Sequence, residues 1–250
     1  MKIALKDNER IDDLQINDLK IIQNKNGFCF GMDSVLLSDF AREIKSESKV
    51  IDLGTGTGIL PILLSAKTKN TKFIGVEIQQ DVAEMAQRSV YLNKLEEKIE
   101  IINENIKNLK NRYSNCSFDT VISNPPYKKE GTGRENIQLN KLISRHEISA
   151  SLEDFIEISK YLLKDKGSLY MVHRPERLVD ILYTLRKYKI EPKIIKMVSS
   201  YINEEPNLVL IKAVKNANSF LKIEKPLYIY EKNGKYSQQV LKIYQKEKLQ

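Results

Sequence analysis

The stretch KVIDLGTGTGILPILL, residues 49–64, constrains the fold more than any other part of the chain. Its first five residues, KVIDL, carry Val50, Ile51 and Leu53, three apolar residues of which two are β-branched, the pattern of a buried strand. Gly54, Gly56 and Gly58 follow, and then an apolar helical run over 59–67. A strand, a glycine turn and a helix in that order open a parallel βαβ unit, because a parallel neighbour is reached only through a crossover. The alternation continues downstream. Strands are expected at 72–78, 99–103, 118–123 and 167–172, and helices over 81–94, 151–164 and 174–188. Ser151, with Asp154 three positions on, reads as a helix N-cap. Two strand-like runs, 193–201 and 207–214, then come with no helix between them. The fold class expected is α/β: a doubly wound, mostly parallel sheet with an antiparallel strand hairpin near the C-terminus.

The flanks complete this outline. Asp33 precedes an apolar-periodic run and marks a helix start, and Asn233-Gly234 between alternating aromatic stretches is a hairpin signal, with a short amphipathic helix after it. The expected organisation is a lead-in over 1–48 that packs on the cofactor site, a core over 49–215 and an appendage over 216–250, in one compact unit.

Composition excludes several classes. No apolar run reaches 18 residues and the start MKIALKDNER has no apolar signal core, so no membrane association and a cytoplasmic location are expected. The two cysteines, Cys29 and Cys116, have no metal-type spacing, so no metal site is expected. The net charge of +8 is unevenly placed: residues 128–250 carry 24 basic and 15 acidic side chains, while 1–127 are almost balanced. That excess reads as solubility or as a basic face for a polyanion, and charge alone does not separate nucleic acid from an acidic protein.

The glycine loop narrows the ligand. Counted from Gly54, a dinucleotide fingerprint places its third glycine at Ile59, whereas the glycine here falls one earlier at Gly58, and no P-loop pattern exists. An acid before a G-x-G-x-G loop fits S-adenosylmethionine (SAM) better. Asp52 can meet the ammonium of the methionine moiety, and Gly54, Thr55 and Gly56 let the backbone approach the ligand. Glu77, 19 positions past Gly58 at the end of the second expected strand, can accept from ribose hydroxyls.

A second feature lies at ISNPPY, residues 122–127. Pro125 and Pro126 cannot extend the strand that leads to them, because each lacks an N–H. Each also holds the preceding residue extended. The outcome is a stiff tip carrying one amide (Asn124), unpaired carbonyls and one aromatic ring (Tyr127).

Together DLGTGTG, Glu77 and SNPPY resemble a class I SAM-dependent methyltransferase of the N-methylating kind, which implies a Rossmann-like methyltransferase sheet. The resemblance implies that the Asn124 side-chain oxygen and the Pro125 carbonyl accept the two N–H bonds of a planar amine, while Tyr127 stacks on its ring. It implies Asn105 on the cofactor adenine, in a position where many relatives have Asp, with Glu104 as an adjacent competitor. Within that group the chain is similar to the bacterial tRNA(Val) adenine-N6 methyltransferases. The similarity rests on Phe28, Phe30, Asp33, Leu36, Leu37 and Phe40, on Arg145-His146-Glu147, on the PLYIY…NGKY…VLKIY tail, and on a glycine loop that begins about 50 residues in.

The implied reaction is methyl transfer to N6 of an adenosine in tRNA, in the anticodon loop of a valine tRNA, with SAM as donor, tRNA as partner and no obligate protein partner. Pro126, Lys128 and Arg145 are expected on the substrate side. The loop over 128–141 reads as a gate that orders on RNA. His146 reads equally as an RNA contact or a surface histidine, and His173 as structural or solvated. Alternatives are the glutamine of peptide release factors, an amino group of ribosomal RNA or DNA, and a SAM- and RNA-binding factor without turnover.

Overall fold

A computed structural model of the 250-residue chain describes residues 4–27, 31–127 and 150–244. Phe28, Phe30, Lys128, Arg145, His146 and the expected gate over 128–141 lie outside the described residues. The elements in chain order are β1 (Glu9–Asp13), β2 (Lys20–Asn24), α1 (Met32–Phe40), β3 (Lys49–Leu53), α2 (Ile59–Ser65), β4 (Lys72–Glu77), α3 (Gln80–Leu92), β5 (Ile99–Asn103), a 3-10 turn (Ile106–Asn108) and α4 (Leu109–Arg112). Then come β6 (Phe118–Ser123), α5 (Leu152–Leu162), β7 (Leu163–His173), a 3-10 turn (Pro175–Arg177) and α6 (Leu178–Lys187). Last are β8 (Ile190–Ser199), β9 (Leu208–Lys215), β10 (Lys222–Ile223), β11 (Leu227–Tyr228) and α7 (Gln238–Ile243). Among the described residues no helix is long and apolar enough to cross a membrane.

The main sheet runs in the order β10-β8-β9-β7-β6-β3-β4-β5, with β11 also on β8. Strands β7, β6, β3, β4 and β5 are parallel to one another, and β9 is antiparallel to both β7 and β8. The expected antiparallel pair is therefore present, but its second strand inserts between β7 and β8 rather than extending the edge. Its central place agrees with its burial: Leu208, Val209, Leu210, Ile211 and Ala213 are all buried, so both faces of β9 are covered.

Strand alternation sends side chains to two cores. Val50 and Ile122 join Leu36, Leu37, Leu60, Leu63 and Val240 on one face. Ile51, Leu53, Phe118 and Val121 join Phe155, Ile156, Leu162 and Leu185 on the other. α5 starts as expected: the Ser151 hydroxyl accepts from Asp154 N at 3.2 Å while the Asp154 carboxylate accepts from Ser151 N at 2.7 Å.

Three local outcomes differ from the expectations. Helix α1 begins at Met32 with Gly31 as its N-cap, so Asp33 sits inside the first turn. An unexpected antiparallel hairpin, β1–β2, packs on α3, where Arg88 grips the buried Glu9 with two bonds of 2.6 and 2.5 Å. The Asn233-Gly234 turn forms with Gly234 at φ +76°, but its flanks pair only at the single bridge Tyr230–Tyr236. The ladder stops there because Ser237 already caps α7, its Oγ accepting from Val240 N at 3.3 Å.

Candidate active site

β3 turns between β4 on one side and β6 on the other, and ligands of open α/β sheets settle at such a switch point. Past Leu53 the backbone takes φ of +75° at Gly54, +57° at Gly56 and +86° at Gly58, values strained for any side chain. The N–H groups of Gly54 and Thr55 both donate to the Val76 carbonyl, at 2.9 and 2.8 Å. Glu77 follows, buried, with its pKa raised by that burial. Its carboxylate accepts from Gly56 N at 3.0 Å and from Gln79 N at 2.9 Å. So Glu77 shapes the glycine loop itself, a role its position in the sequence did not disclose. Further lone pairs on the same oxygens remain for a ligand.

Asp52 is 2% exposed and both its carboxylate oxygens lack a hydrogen-bond partner among the described residues. Burial pushes its pKa from the ordinary 3.8 up to about 7. The neighbouring Thr55 hydroxyl offsets part of that rise without a well-formed bond to either oxygen. A buried carboxylate with no partner is costly unless a cation or donor meets it. The site therefore suits a ligand that carries an ammonium.

Gly75 in β4 makes room for Thr55: a Cβ there would stand 2.9 Å from both Thr55 Oγ1 and Cγ2, and 2.8 Å from Ile101 Cδ1. The isoleucine tip can swing aside, but Thr55 is held by its own backbone bond to Val76. Gly75→Ala is expected to lower stability by about 1–3 kcal/mol, read as a drop of several degrees in Tm.

Asn105, expected on a cofactor adenine, spends its Oδ1 on Lys107 N at 3.0 Å and so caps the 3-10 turn. Glu104, its competitor, accepts from Asn105 N at 2.8 Å and Asn108 Nδ2 at 2.9 Å. Both side chains thus hold one turn; Asn105 Oδ1 keeps a second lone pair, whereas Glu104 takes both bonds on Oε1 and has lone pairs left only on Oε2. Ile78, missed in the sequence, is 44% exposed just past β4. Asn103 Nδ2 pins that corner by donating to the carbonyls of Glu77 and Ile78, both at 2.9 Å. An apolar side chain held exposed beside Glu77 offers a flat ligand ring a surface to cover.

The acceptor side is the tip after β6. Leu53 of β3 pairs with Ser123 of β6, and the Ser123 hydroxyl donates to the Leu53 carbonyl at 2.9 Å. The glycine loop and Asn124 therefore leave adjacent strand ends. Pro125 is buried and Pro126 exposed. Asn124 Nδ2 donates to Asp33 Oδ2 at 3.0 Å, and the Tyr127 hydroxyl lies 2.7 Å from both Asp33 Oδ2 and Asn124 Oδ1. Burial first, then Asp33, raises the Tyr127 pKa, so the phenol stays protonated. The Tyr127 ring meets His173 edge-on at 5.2 Å and has the Arg174 guanidinium over it, also at 5.2 Å.

His173 is 1% exposed, not solvated. Burial and then Arg177 hold its pKa down to about 4, and its Nδ1 accepts from Arg174 N at 2.8 Å. It is a neutral wall behind Tyr127. The sequence placed Asp33 in a motif without a partner and left His173 and Arg174 at a strand end, so their meeting with Tyr127 was not readable. The structure brings Asp52, Gly54, Thr55, Gly56 and Glu77 together on one side of the β3–β6 seam and Asn124, Pro125 and Tyr127 on the other.

A parallel sheet with an inserted antiparallel strand, and a glycine loop facing an Asn-Pro-Pro-Tyr tip, define a Rossmann-like methyltransferase. The methyltransferase small domain family matches residues 30–187, and the chain belongs to that family. Among its relatives is the tRNA1(Val) (adenine(37)-N6)-methyltransferase of Porphyromonas gingivalis, 28% identical over 185 residues and 72% of each chain. The protein of that name from Shewanella halifaxensis is 28% identical over 221 residues, 84% of this chain and 88% of the relative. Solved structures agree on the fold. A predicted O-methyltransferase from Agrobacterium tumefaciens has a TM-score of 0.70 at 20% identity, covering 86% of this chain and 96% of that one. A geranyl diphosphate C-methyltransferase from Streptomyces coelicolor, in complex with S-adenosyl-L-homocysteine, has 0.54 at 12% identity, covering 74% and 78%.

Proposed function

We propose that this chain transfers a methyl group from SAM to N6 of an adenosine in tRNA, at the anticodon-loop position that its relatives' names give as adenine 37 of a valine tRNA. The observation that carries the reading is the juxtaposition of the β3 glycine loop and the Asn124 tip across paired strand ends. The names of the relatives support the substrate, and the basic carboxyl half of the chain suits a polyanion. When bound, SAM supplies an electrophilic methyl on a sulfonium. Asp52 would hold the ammonium, Glu77 the ribose, Ile78 the adenine face, and Asn105 the adenine edge through its remaining lone pair.

The chain's own work lies at the acceptor. An exocyclic amine is a poor nucleophile while its lone pair is delocalised into the ring. Asn124 Oδ1 and the Pro125 carbonyl, aligned for a pyramidal amine, would favour the transition state over the flat ground state. Those two acceptors take the two N–H bonds, and the lone pair is left pointing at the donor. The proton leaves after transfer, so no strong base is required. An adenosine in a loop already lies outside a duplex, which lowers the cost of presenting it.

Transfer of labelled methyl from SAM onto unmodified bulk tRNA, followed by nucleoside mass spectrometry, tests the reading. N6-methyladenosine formed only with enzyme supports it. Label absent from tRNA but present on a release-factor glutamine or on ribosomal RNA overturns it.

The buried acid adds a pH prediction. Because burial raises the Asp52 pKa from 3.8 to about 7, the folded chain keeps a proton that the unfolded chain loses in that window. The group's contribution to stability therefore falls as pH rises between those values. A ligand ammonium reverses the preference by drawing the proton off. SAM affinity should drop by roughly fivefold to tenfold from pH 7.5 to 6. Calorimetry in buffers of different ionisation heat should show a proton released at the lower pH.

A further inference from the structure

Asp33 lies 91 residues from Asn124 in the chain, yet its Oδ2 accepts from Asn124 Nδ2 at 3.0 Å and stands 2.7 Å from the Tyr127 hydroxyl. Ser34 Oγ adds a longer contact of 3.4 Å to the same Nδ2. Helix α1, which carries both, is seated by Leu36 and Leu37, each at most 1% exposed. The carboxylate is therefore held on a rigid element, as a precise constellation requires.

Two consequences follow from elementary hydrogen-bond chemistry. A carboxylate has no proton to give, so the end of Asn124 that faces it must be the amide nitrogen, and the amide oxygen faces away. That oxygen is the end an amine substrate needs, because the amine arrives as a donor. The Tyr127 hydroxyl has one proton and two acceptors at the same 2.7 Å, Asp33 Oδ2 and Asn124 Oδ1. An anionic oxygen accepts more strongly than a neutral amide oxygen, so the proton goes to Asp33 and the Asn124 oxygen keeps its lone pairs.

We propose that Asp33 is a positioning residue for methyl transfer: it fixes which end of Asn124 faces the target amine and diverts the Tyr127 proton from the oxygen that must receive that amine. The proposal rests on the N-methyltransferase reading above. Asp33 touches neither donor nor acceptor and acts through Asn124 and Tyr127.

The test uses the full chain with Asp33→Asn, which keeps the shape and removes the anion. Methyl transfer to unmodified tRNA should show kcat lowered by roughly tenfold, with SAM affinity by calorimetry within about threefold of wild type and Tm retained. Adding Tyr127→Phe to Asp33→Asn should recover kcat severalfold over the single variant, because the competing hydroxyl is gone. A merely structural Asp33 predicts a further loss.

A second readout needs no turnover. Side-chain amide NMR should show the Asn124 Nδ2 protons, which Asp33 accepts in wild type, exchanging faster with water in Asp33→Asn. Unchanged kcat in Asp33→Asn, a loss matched by weaker SAM binding, no recovery in the double variant, or unchanged Asn124 amide exchange overturns the proposal. If wild type leaves tRNA unmethylated, the substrate reading fails, and the Asn124 amide exchange still tells whether Asp33 holds that side chain.

Discussion

Asn124→Ala is expected to lower kcat by roughly tenfold to a thousandfold while SAM affinity stays within a few-fold of wild type. The asymmetry follows from position. Asn124 lies past the end of β6, on the acceptor side of the seam, and its amide contacts Asp33, Ser34 and Tyr127 rather than the glycine loop. Its oxygen is needed when the amine pyramidalises, so its loss falls on the transition state. Single-turnover methyl transfer alongside calorimetry separates the two quantities. An unchanged kcat would remove Asn124 from the mechanism. A parallel loss of SAM affinity would mean that the tip supports the donor site instead.

Glu77→Ala is expected to act in the opposite way, weakening SAM binding on the order of a hundredfold with a smaller effect on kcat at saturation. The variant loses the ribose acceptor and also leaves Gly56 N and Gln79 N without their partner. Each hydrogen bond to a charged group contributes roughly 1.5–3 kcal/mol, and an orphaned buried donor costs a similar amount. Glu77→Gln keeps one acceptor oxygen and should fall between the two. Calorimetry across the series reads this directly, and equal affinity for wild type and Glu77→Ala would take Glu77 out of the donor site.

Local periodicity made the sheet legible. β5 and β6 run over 99–103 and 118–123 as read from IEIIN and FDTVIS, and the Ser151–Asp154 box caps α5 where the spacing placed it. These are local matters, decided within a few residues. β1 and β2 escaped because ERIDD and KIIQN barely alternate. Their pairing is secured from afar, by Ser89 Oγ accepting from Ile22 N and by Asn93 bonding the backbone of Lys20. β9 read as a strand, but nothing in a single sequence states which neighbours it will take.

The candidate site divides in the same way. The glycine loop and the Asn-Pro-Pro-Tyr tip are contiguous motifs and were readable. Asp33, His173 and Arg174 reach Tyr127 only through the folding of α1 and the end of β7 toward β6. Glu77 was legible as an acid at a strand end, but its bond to Gly56 depends on how tightly that loop turns. Asn105 was read for a ligand and serves also as a cap, since a side chain two residues before a free N–H will take that bond when the backbone allows.

The Ser123–Leu53 tie has a consequence for how such a chain can change over time. Among the described residues, every group assigned to the donor comes from the β3–β5 half of the sheet, and every group assigned to the acceptor from α1, β6 and β7. One side-chain bond and one strand pairing join the halves at their working ends. Substitutions at the tip over 124–127 and past β7 over 174–177 can therefore alter which amine is received with little effect on the machinery that grips the donor, whereas Leu36 and Leu37 of α1 pack with Leu60 and Leu63 behind the glycine loop. On the proposed function, the receiving half is where a different nucleotide or peptide would be admitted, while the gripping half serves one small molecule throughout.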